Sequence, residues 1–422
     1  MREMKDSGIE WIGQIPNSWT VRRGKTLFVN TKYIPGKLSS NYDRLSLTLK
    51  GVLPRKKDDS DGLQPKDFDT YQLLRENELV FKLIDLQNVS TSRVGLAHAT
   101  GLVSPAYIVL HANEEILPAF AEKFYLMMWY REIFNSLGDN GVRSSLNVSD
   151  LLNIPVCYPK IEEQIFLTNY LDTKCSEIDA TAEDIQKEID LLEEYKKSVI
   201  TEAVTKGLNP DAEMKDSGVE WIGEIPKHWE IIRIGYILGE IDRRSITGME
   251  ESLSVSQVLG VVPSSQIAVP STASTMVGQK IVEPGELVLN KLKAHLGVCF
   301  VSNYKGLVSP DYAVYKANEK VKSKLLEYVF HTASCIWEFK KYITGVGQGL
   351  SRLYTKDLFR INVALPDMLE QQQIVSYLDS KCSEIDSLIA DKKRQLDILA
   401  DYKKSLIYEY VTGKKEVPVN DF

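Results

Sequence analysis

The sequence predicts a mixed α+β (α/β) chain written twice. Two structurally similar globular bodies are separated by two long antiparallel helices that form a coiled-coil-like spacer, with a pseudo-two-fold internal repeat. Three observations carry this prediction. MKDSGIEWIGQIPNSW, beginning at Met4, returns as MKDSGVEWIGEIPKHW at Met214, with twelve of sixteen letters unchanged. YLDTKCSEID (Tyr170 to Asp179) and EYKKSVITEAVT (Glu194 to Thr205) return as YLDSKCSEID (Tyr377 to Asp386) and DYKKSLIYEYVT (Asp401 to Thr412). Between these phrases lie short β-type runs that match only at scattered points, such as GLVSPAYIVL at Gly101 and GLVSPDYAVY at Gly306. A frame that stays the same around bodies that diverge suggests one scaffold presenting two readers. Neutral drift of an idle surface is the alternative.

The boundaries expected from the repeat are 1–159 for the opening segment and first body, 160–206 for a central long helix, and 207–220 for a linker. The second body follows at 221–366, then a C-terminal long helix at 367–413 and a tail at 414–422. In the central helix Cys175, Ile178, Ala182, Ile185, Ile189, Leu192, Tyr195, Val199 and Ala203 recur at spacings of three and four, an apolar seam on one face. The second copy carries Cys382, Ile385, Ile389, Leu396, Leu399, Tyr402, Leu406 and Tyr410, with Lys392 interrupting the seam where the first has Ile185. Pro159 and Pro366 stand ahead of the helices, and Gly207 and Gly413 just past their ends. A helix of about 43 residues is about 64 Å long. The simplest cover for each seam is the other helix, antiparallel, with a body at either end. Packing of each helix on its own domain is the plainer alternative.

Within the bodies, LSLTLKGVL, ELVFKLI, AYIVL, ELVLNKL and YAVYKA look like strands. AFAEKFYLMMWYREIFNSL and KLLEYVFHTASCIWEFKKYI look like helices whose Met and aromatic residues belong to the core.

Bulk composition narrows the class. The chain has 422 residues, 43% hydrophobic and 26% charged, a soluble globular composition with room for two or three domains. No apolar run approaches the roughly 18 residues of a membrane span. The opening MREMKDSG lacks the apolar stretch of a secretory leader, so the expected location is cytoplasmic. Five scattered cysteines without CxxC spacing argue against a disulfide framework or a zinc site and fit a reducing compartment. Net charge is −7, so any nucleic-acid role must rest on local basic surface. Trp11 to Cys157 holds 17 basic against 15 acidic residues, and Trp221 to Pro366 holds 17 against 13. The bodies are therefore mildly positive, and the acidic surplus lies in the helices and linkers.

No catalytic constellation stands out. GVGQG (Gly345 to Gly349) lacks the strand and the later acid of a dinucleotide loop and reads as a flexible loop. PDAEMK (Pro210 to Lys215) resembles a nuclease motif only in letters, because it lies in a linker. The five histidines show no metal spacing, and there is neither a G-K-[ST] phosphate loop nor an N-P-P-[YF] tetrapeptide.

Three phrases in order, each present twice, are similar to those of a known family: SGxEWIGxIPxxW, then EEQIFLTNYLD or EQQQIVSYLD, then YKKSxIxExVT. They resemble the DNA specificity (S) subunit of Type I restriction-modification systems, over nearly the whole chain. The resemblance implies two target recognition domains, each reading one half of a bipartite asymmetric site in double-stranded DNA. It implies that the helix pair sets the spacer and docks two modification (methyltransferase) subunits, with restriction (motor-nuclease) subunits joining. The chain itself would be non-catalytic and without a membrane role. S-adenosylmethionine, ATP and Mg would belong to the partner subunits. On the helix pair, Tyr170, Leu171, Ile178, Tyr195, Lys196 and Lys197 match the family's phrases in the first copy. Tyr377, Leu378, Ile385, Tyr402, Lys403 and Lys404 match them in the second. The lysine pairs, beside the seam, are expected to be exposed and to dock the methyltransferase.

Base-reading residues cannot be carried over, so they are chosen as donors in loops after strands. In the first body these are Lys50, Arg55, Lys56, Lys57, Lys82, Gln87, Asn88, Arg93, Arg143 and Ser144. In the second they are Gln257, Ser264, Gln266, Asn290, Lys291, Lys293, His295, Gln348, Ser351 and Arg352. A protein-only coiled-coil scaffold and an enzyme with a cryptic site remain the competing classes. The purified chain by itself is expected neither to methylate nor to cut DNA. Methyl transfer from radiolabelled S-adenosylmethionine by the partner-free chain would contradict this.

Overall fold

A computed structural model describes residues 2–59, 67–87, 91–137, 145–267, 276–343 and 352–418. The chain forms two compact units, Met1–Gln186 with Arg394–Phe422, and Lys187–Lys393. These units cut across the linear boundaries expected above. Each gathers one body with half of each long helix, because the apolar face of a helix half is covered largely by the other helix.

The repeated opening phrase is a frame element. It folds as an antiparallel pair, Met4–Asp6 against Gln14–Pro16 in the first unit and Met214–Asp216 against Glu224–Pro226 in the second. Each phrase ends on a tryptophan, Trp19 or Trp229, only 1% exposed. The Trp19 indole N–H donates to Glu163 (3.2 Å) in the first turn of the central helix, Ile161–Lys206. Trp229 does the same to Glu370 (3.2 Å) at the start of the C-terminal helix, Met368–Val411. The same rings meet the other helix's end. A methyl added at Gly413 (φ +69°) would stand 3.1 Å from Trp19 and 2.4 Å from Pro16, and one at Gly207 (φ +76°) would stand 3.4 Å from Trp229. Both stops are left-handed and pressed against an indole, which suits glycine.

The bodies share a topology. A four-stranded antiparallel sheet runs Phe28–Asn30, Ile108–Ala112, Leu79–Phe81, Val94–Leu96 in the first. It runs Leu238–Ile241, Tyr312–Ala317, Leu287–Asn290, Cys299–Val301 in the second. The stretch read as one strand, LSLTLKGVL, is a hairpin: Arg44–Thr48 pairs with Gly51–Arg55 and, in parallel, with Gly101–Val103. The second body repeats it as Leu253–Ser256 with Gly260–Pro263, joined by the parallel bridge Ser252 to Leu307. A last pair, Thr20–Arg23 with Pro155–Tyr158 or Glu230–Arg233 with Asn362–Leu365, delivers the chain to its long helix.

Both predicted body helices are broken. Pro118–Tyr130 and Ile133–Leu137 are separated at Glu132, which has φ +57°. Ser323–Phe330 and Ala333–Tyr342 are separated where the Thr332 hydroxyl accepts from the Cys335 N–H (3.3 Å), a cap that starts a new helix. Phe120, Phe124, Tyr125, Met127 and Met128 are buried core.

Within each unit the helix halves run antiparallel. In the first, Tyr410 donates to the Tyr170 hydroxyl (3.3 Å) and Lys403 reaches both carboxylate oxygens of Asp179 (2.7 Å). In the second, Lys196 reaches Asp386 (2.6 and 2.7 Å), and Lys392 pairs with Glu188. Leu171, Ile178, Ile189, Leu378 and Ile385 are buried in the seam. Two expectations change. Tyr195 and Tyr402 are 49% and 54% exposed, outside the seam, whereas Lys196 and Lys403 turn toward the partner helix because an aspartate waits there. Lys392 is likewise paired across the helices instead of breaking them. Symmetry also lapses at Tyr377, 42% exposed against 9% for Tyr170. Ala203 stands where the matching phrase has Tyr410, and it lines an open cleft with Tyr377.

Since Lys196 and Asp386 are partly exposed, their pair contributes about 0.5 kcal/mol. Lys196→Glu should destabilise the chain, and adding Asp386→Lys should recover most of the loss, as read by urea unfolding across the double-mutant cycle. Zero coupling would mean the pair is idle.

Candidate nucleic-acid interface

In both bodies the inner sheet strand that follows the hairpin ends in a loop, and that loop is tied to the segment ahead of the body's last short helix. Lys82 N–H donates to the Arg93 carbonyl (3.0 Å), and Leu146 N–H to the Leu83 carbonyl (2.9 Å). In the second body Asn290 N–H donates to Val298 (2.9 Å), and Leu353 N–H to Lys291 (3.1 Å). The matched bonds make Lys82 the counterpart of Asn290, and Arg93 that of Val298. Here the fold gathers Lys82, Gln87 and Arg93 in one body, and Asn290, Lys291, Lys293, His295 and Arg352 in the other. Asn88, Arg143, Ser144, Gln348 and Ser351 lie outside the described residues.

Not all of these face outward. Arg93 is 1% exposed, its guanidinium donating to the carbonyls of Lys82 (3.4 Å), Ile84 (3.3 Å) and Asp85 (2.5 Å). Asn290 is 6% exposed, its side-chain oxygen accepting from the N–H groups of Leu292 (3.1 Å) and Lys293 (3.2 Å). Neither side chain can meet a base edge, because backbone groups of the loop hold it inward. Gln87 and Lys293 are exposed, and Lys291 and His295 half-buried. Lys82 donates to the Thr91 hydroxyl (3.0 Å). Burial, then the Arg93 guanidinium, pulls the Lys82 ammonium below the usual lysine range. Burial, then Lys280, does so for Lys291, which lines a cleft of about 320 Å³ with Glu240, Tyr354, Thr355 and Lys356. An approaching phosphate would offset both effects, as an opposite charge favours the protonated amine. Arg352 pairs with Asp311 (3.2 Å).

The hairpin candidates form a separate group. Lys50, at the turn, is 3.5 Å from Glu183 of the central helix. Arg55 bonds Asp59 (2.8 Å), and Lys57 bonds the Ser39 carbonyl (3.0 Å) while lying over the Phe68 ring. Lys56 is exposed, as are Gln257 in the turn of the second body's matching hairpin and Gln266 just after that hairpin. Ser264 is occupied by Ser252 (3.1 Å) and Ser254 (2.8 Å). Ile246 and Met249, apolar and each 89% exposed, also stand on the surface of the second body. Nothing in their apolar letters distinguishes them from core.

Among the described residues, no group of three His, Cys, Asp or Glu side chains could hold a metal ion.

A family model described as the Type I restriction modification DNA specificity domain matches residues 271–397. A Methanocaldococcus jannaschii protein assigned as the type I restriction enzyme MjaX specificity subunit is 26% identical over 308 residues, 70% of this chain and 69% of that protein. The EcoDI specificity subunit of Escherichia coli is 19% identical over 433 residues, 95% of this chain and 90% of that protein. Among solved structures, a chain from a study of assembly and conformational transition in the type I R-M system superposes with a TM-score of 0.68. It is 14% identical, over 95% of this chain and 99% of that one. The HsdS subunit of Thermoanaerobacter tengcongensis gives 0.50 at 16% identity, over 95% and 98%. The matched domain at 271–397 and these relatives make the chain similar to the DNA specificity subunits of Type I restriction-modification systems, whose fold it shares.

Proposed function

We propose that each body reads one half of a bipartite, asymmetric duplex site, and that the helix pair sets the spacing and holds two methyltransferase subunits. Methyl transfer with S-adenosylmethionine, and cleavage with ATP and Mg, belong to those subunits and to restriction subunits. This chain contributes recognition, and its place is the cytoplasm with its DNA. No helix among the described residues is long and apolar enough to cross a membrane. The observation that supports half-site reading is the repeated loop pair. Both bodies present polar and cationic side chains (Lys82 and Gln87; Lys291, Lys293, His295 and Arg352) at the same station of the fold, on sequences that differ. Donors on such loops meet base edges, and ammonium groups beside them meet phosphate, the division of labour that sequence-specific binding requires. Exchanging residues 20–158 for the corresponding body of another family member should change one half of the methylated site. Methylome sequencing of a host carrying the chimera and its methyltransferase reads this directly, and a change in both halves would refute independent reading.

Docking is placed on the stripe beside the lysine pairs, of which Lys197 and Lys404 are exposed. Lys196 and Lys403 are spent on cross-helix aspartates, and Lys404 bonds Asp401 (2.9 Å). Leu191 and Tyr195 in one unit, and Ile398 and Tyr402 at the matching positions of the other, are 64%, 49%, 62% and 54% exposed. An apolar step presented twice at one register suits two copies of one partner. Leu191→Asp with Tyr195→Asp should remove one methyltransferase copy in native mass spectrometry, and Ile398→Asp with Tyr402→Asp the other. Retention of both copies by the quadruple variant would place docking elsewhere.

A further inference from the structure

The two loops just described are held by unlike buried groups. In the first body, three carbonyls of one loop, from Lys82, Ile84 and Asp85, converge on the Arg93 guanidinium. Asp85 has φ +54°, a left-handed conformation that a non-glycine residue keeps only where its surroundings impose it. The bond to its carbonyl is such an imposition. In the second body the position of Arg93 is taken by Val298, whose side chain carries no charge. The loop is instead organised from its first residue: the Asn290 side-chain oxygen collects two backbone N–H groups, and the chain turns at Gly297 (φ +71°). A methyl at Gly297 would stand 2.9 Å from the Ile336 side chain, so the turn is also sterically closed.

We infer that Arg93 and Asn290 are positioning residues, each shaping the reading loop of its own body and so controlling discrimination at one half-site. The loops concerned are Lys82–Gln87 in the first body and Asn290–Gly297 in the second. The inference rests on the reading that each body recognises its own half-site. Discrimination between bases needs donors and acceptors held at hydrogen-bond distance and angle, whereas attraction to phosphate tolerates looser geometry. A loop released from its buried anchor therefore loses preference among bases while the complex still binds DNA.

The test uses the full chain with its methyltransferase in a host free of other methylation, and reads the sequence of methylated sites. Arg93→Met should admit substitutions at one half-site, with discrimination falling about tenfold or more, and leave the other half as in the parent. Asn290→Leu should relax the opposite half. Asn290→Asp keeps the accepting oxygen and should restore parental sites, and Arg93→Lys, which keeps the cation without the fork, should lie between Met and parent. Lost stability lowers the number of methylated sites without altering their sequence, so partly folded variants still report. Unchanged sites in Arg93→Met or Asn290→Leu, or relaxation of both halves together, would overturn the positioning role. A parent whose methylated site is not bipartite would instead overturn half-site reading itself.

Discussion

Each unit depends on an indole shared between two helix ends. Trp19 donates to Glu163 in the first turn of the central helix while its ring backs the glycine stop of the C-terminal helix. Trp229 joins Glu370 and Gly207 in the same manner. A carboxylate in the first turn suits the positive end of the helix dipole, and a left-handed glycine suits the close approach of a flat ring. One buried side chain thereby closes a loop of more than 200 residues in the first unit, an entropic constraint that local propensity does not supply. The opening phrase is written twice because each helix pair needs such a clamp.

A buried glutamine completes the clamp. Gln164 accepts from the Leu117 N–H and donates to the carbonyls of Glu115 and Pro159, and Gln371 repeats this with Lys322, Lys320 and Pro366. All these groups are satisfied by backbone, so the start of each long helix is locked to its body with no charge buried. Farther along, the helix pairs rely on lysine–aspartate contacts at positions beside the apolar seam, where the sequence reading placed exposed lysines. Such contacts specify register more than they add stability.

The frame repeats while the loops do not. Arg93, just before the strand Val94–Leu96, and Asn290, at the end of the strand Leu287–Asn290, organise their loops with opposite chemistry, one donating to carbonyls and the other accepting from N–H groups. A scaffold that keeps its clamps and changes its loop anchors is suited to carrying two unrelated half-site preferences in one chain.

The sequence by itself determined the duplication, the long helices and the core of their seam, since a spacing of three and four is a local property that needs no partner to be read. It determined the strand-rich bodies and, through three twice-written phrases, a resemblance to the DNA specificity subunits. Only the tertiary structure decided that Tyr195 faces out while Lys196 faces the other helix. Periodicity fixes a face to within one residue, and the final step depends on Asp386, nearly 200 residues away. The breaks at Glu132 and Thr332 interrupt runs whose letters are helical throughout. Arg93 and Asn290 have the letters of DNA readers. Their burial follows from backbone groups that converge on them only once the loop has formed, an arrangement that no linear spacing records.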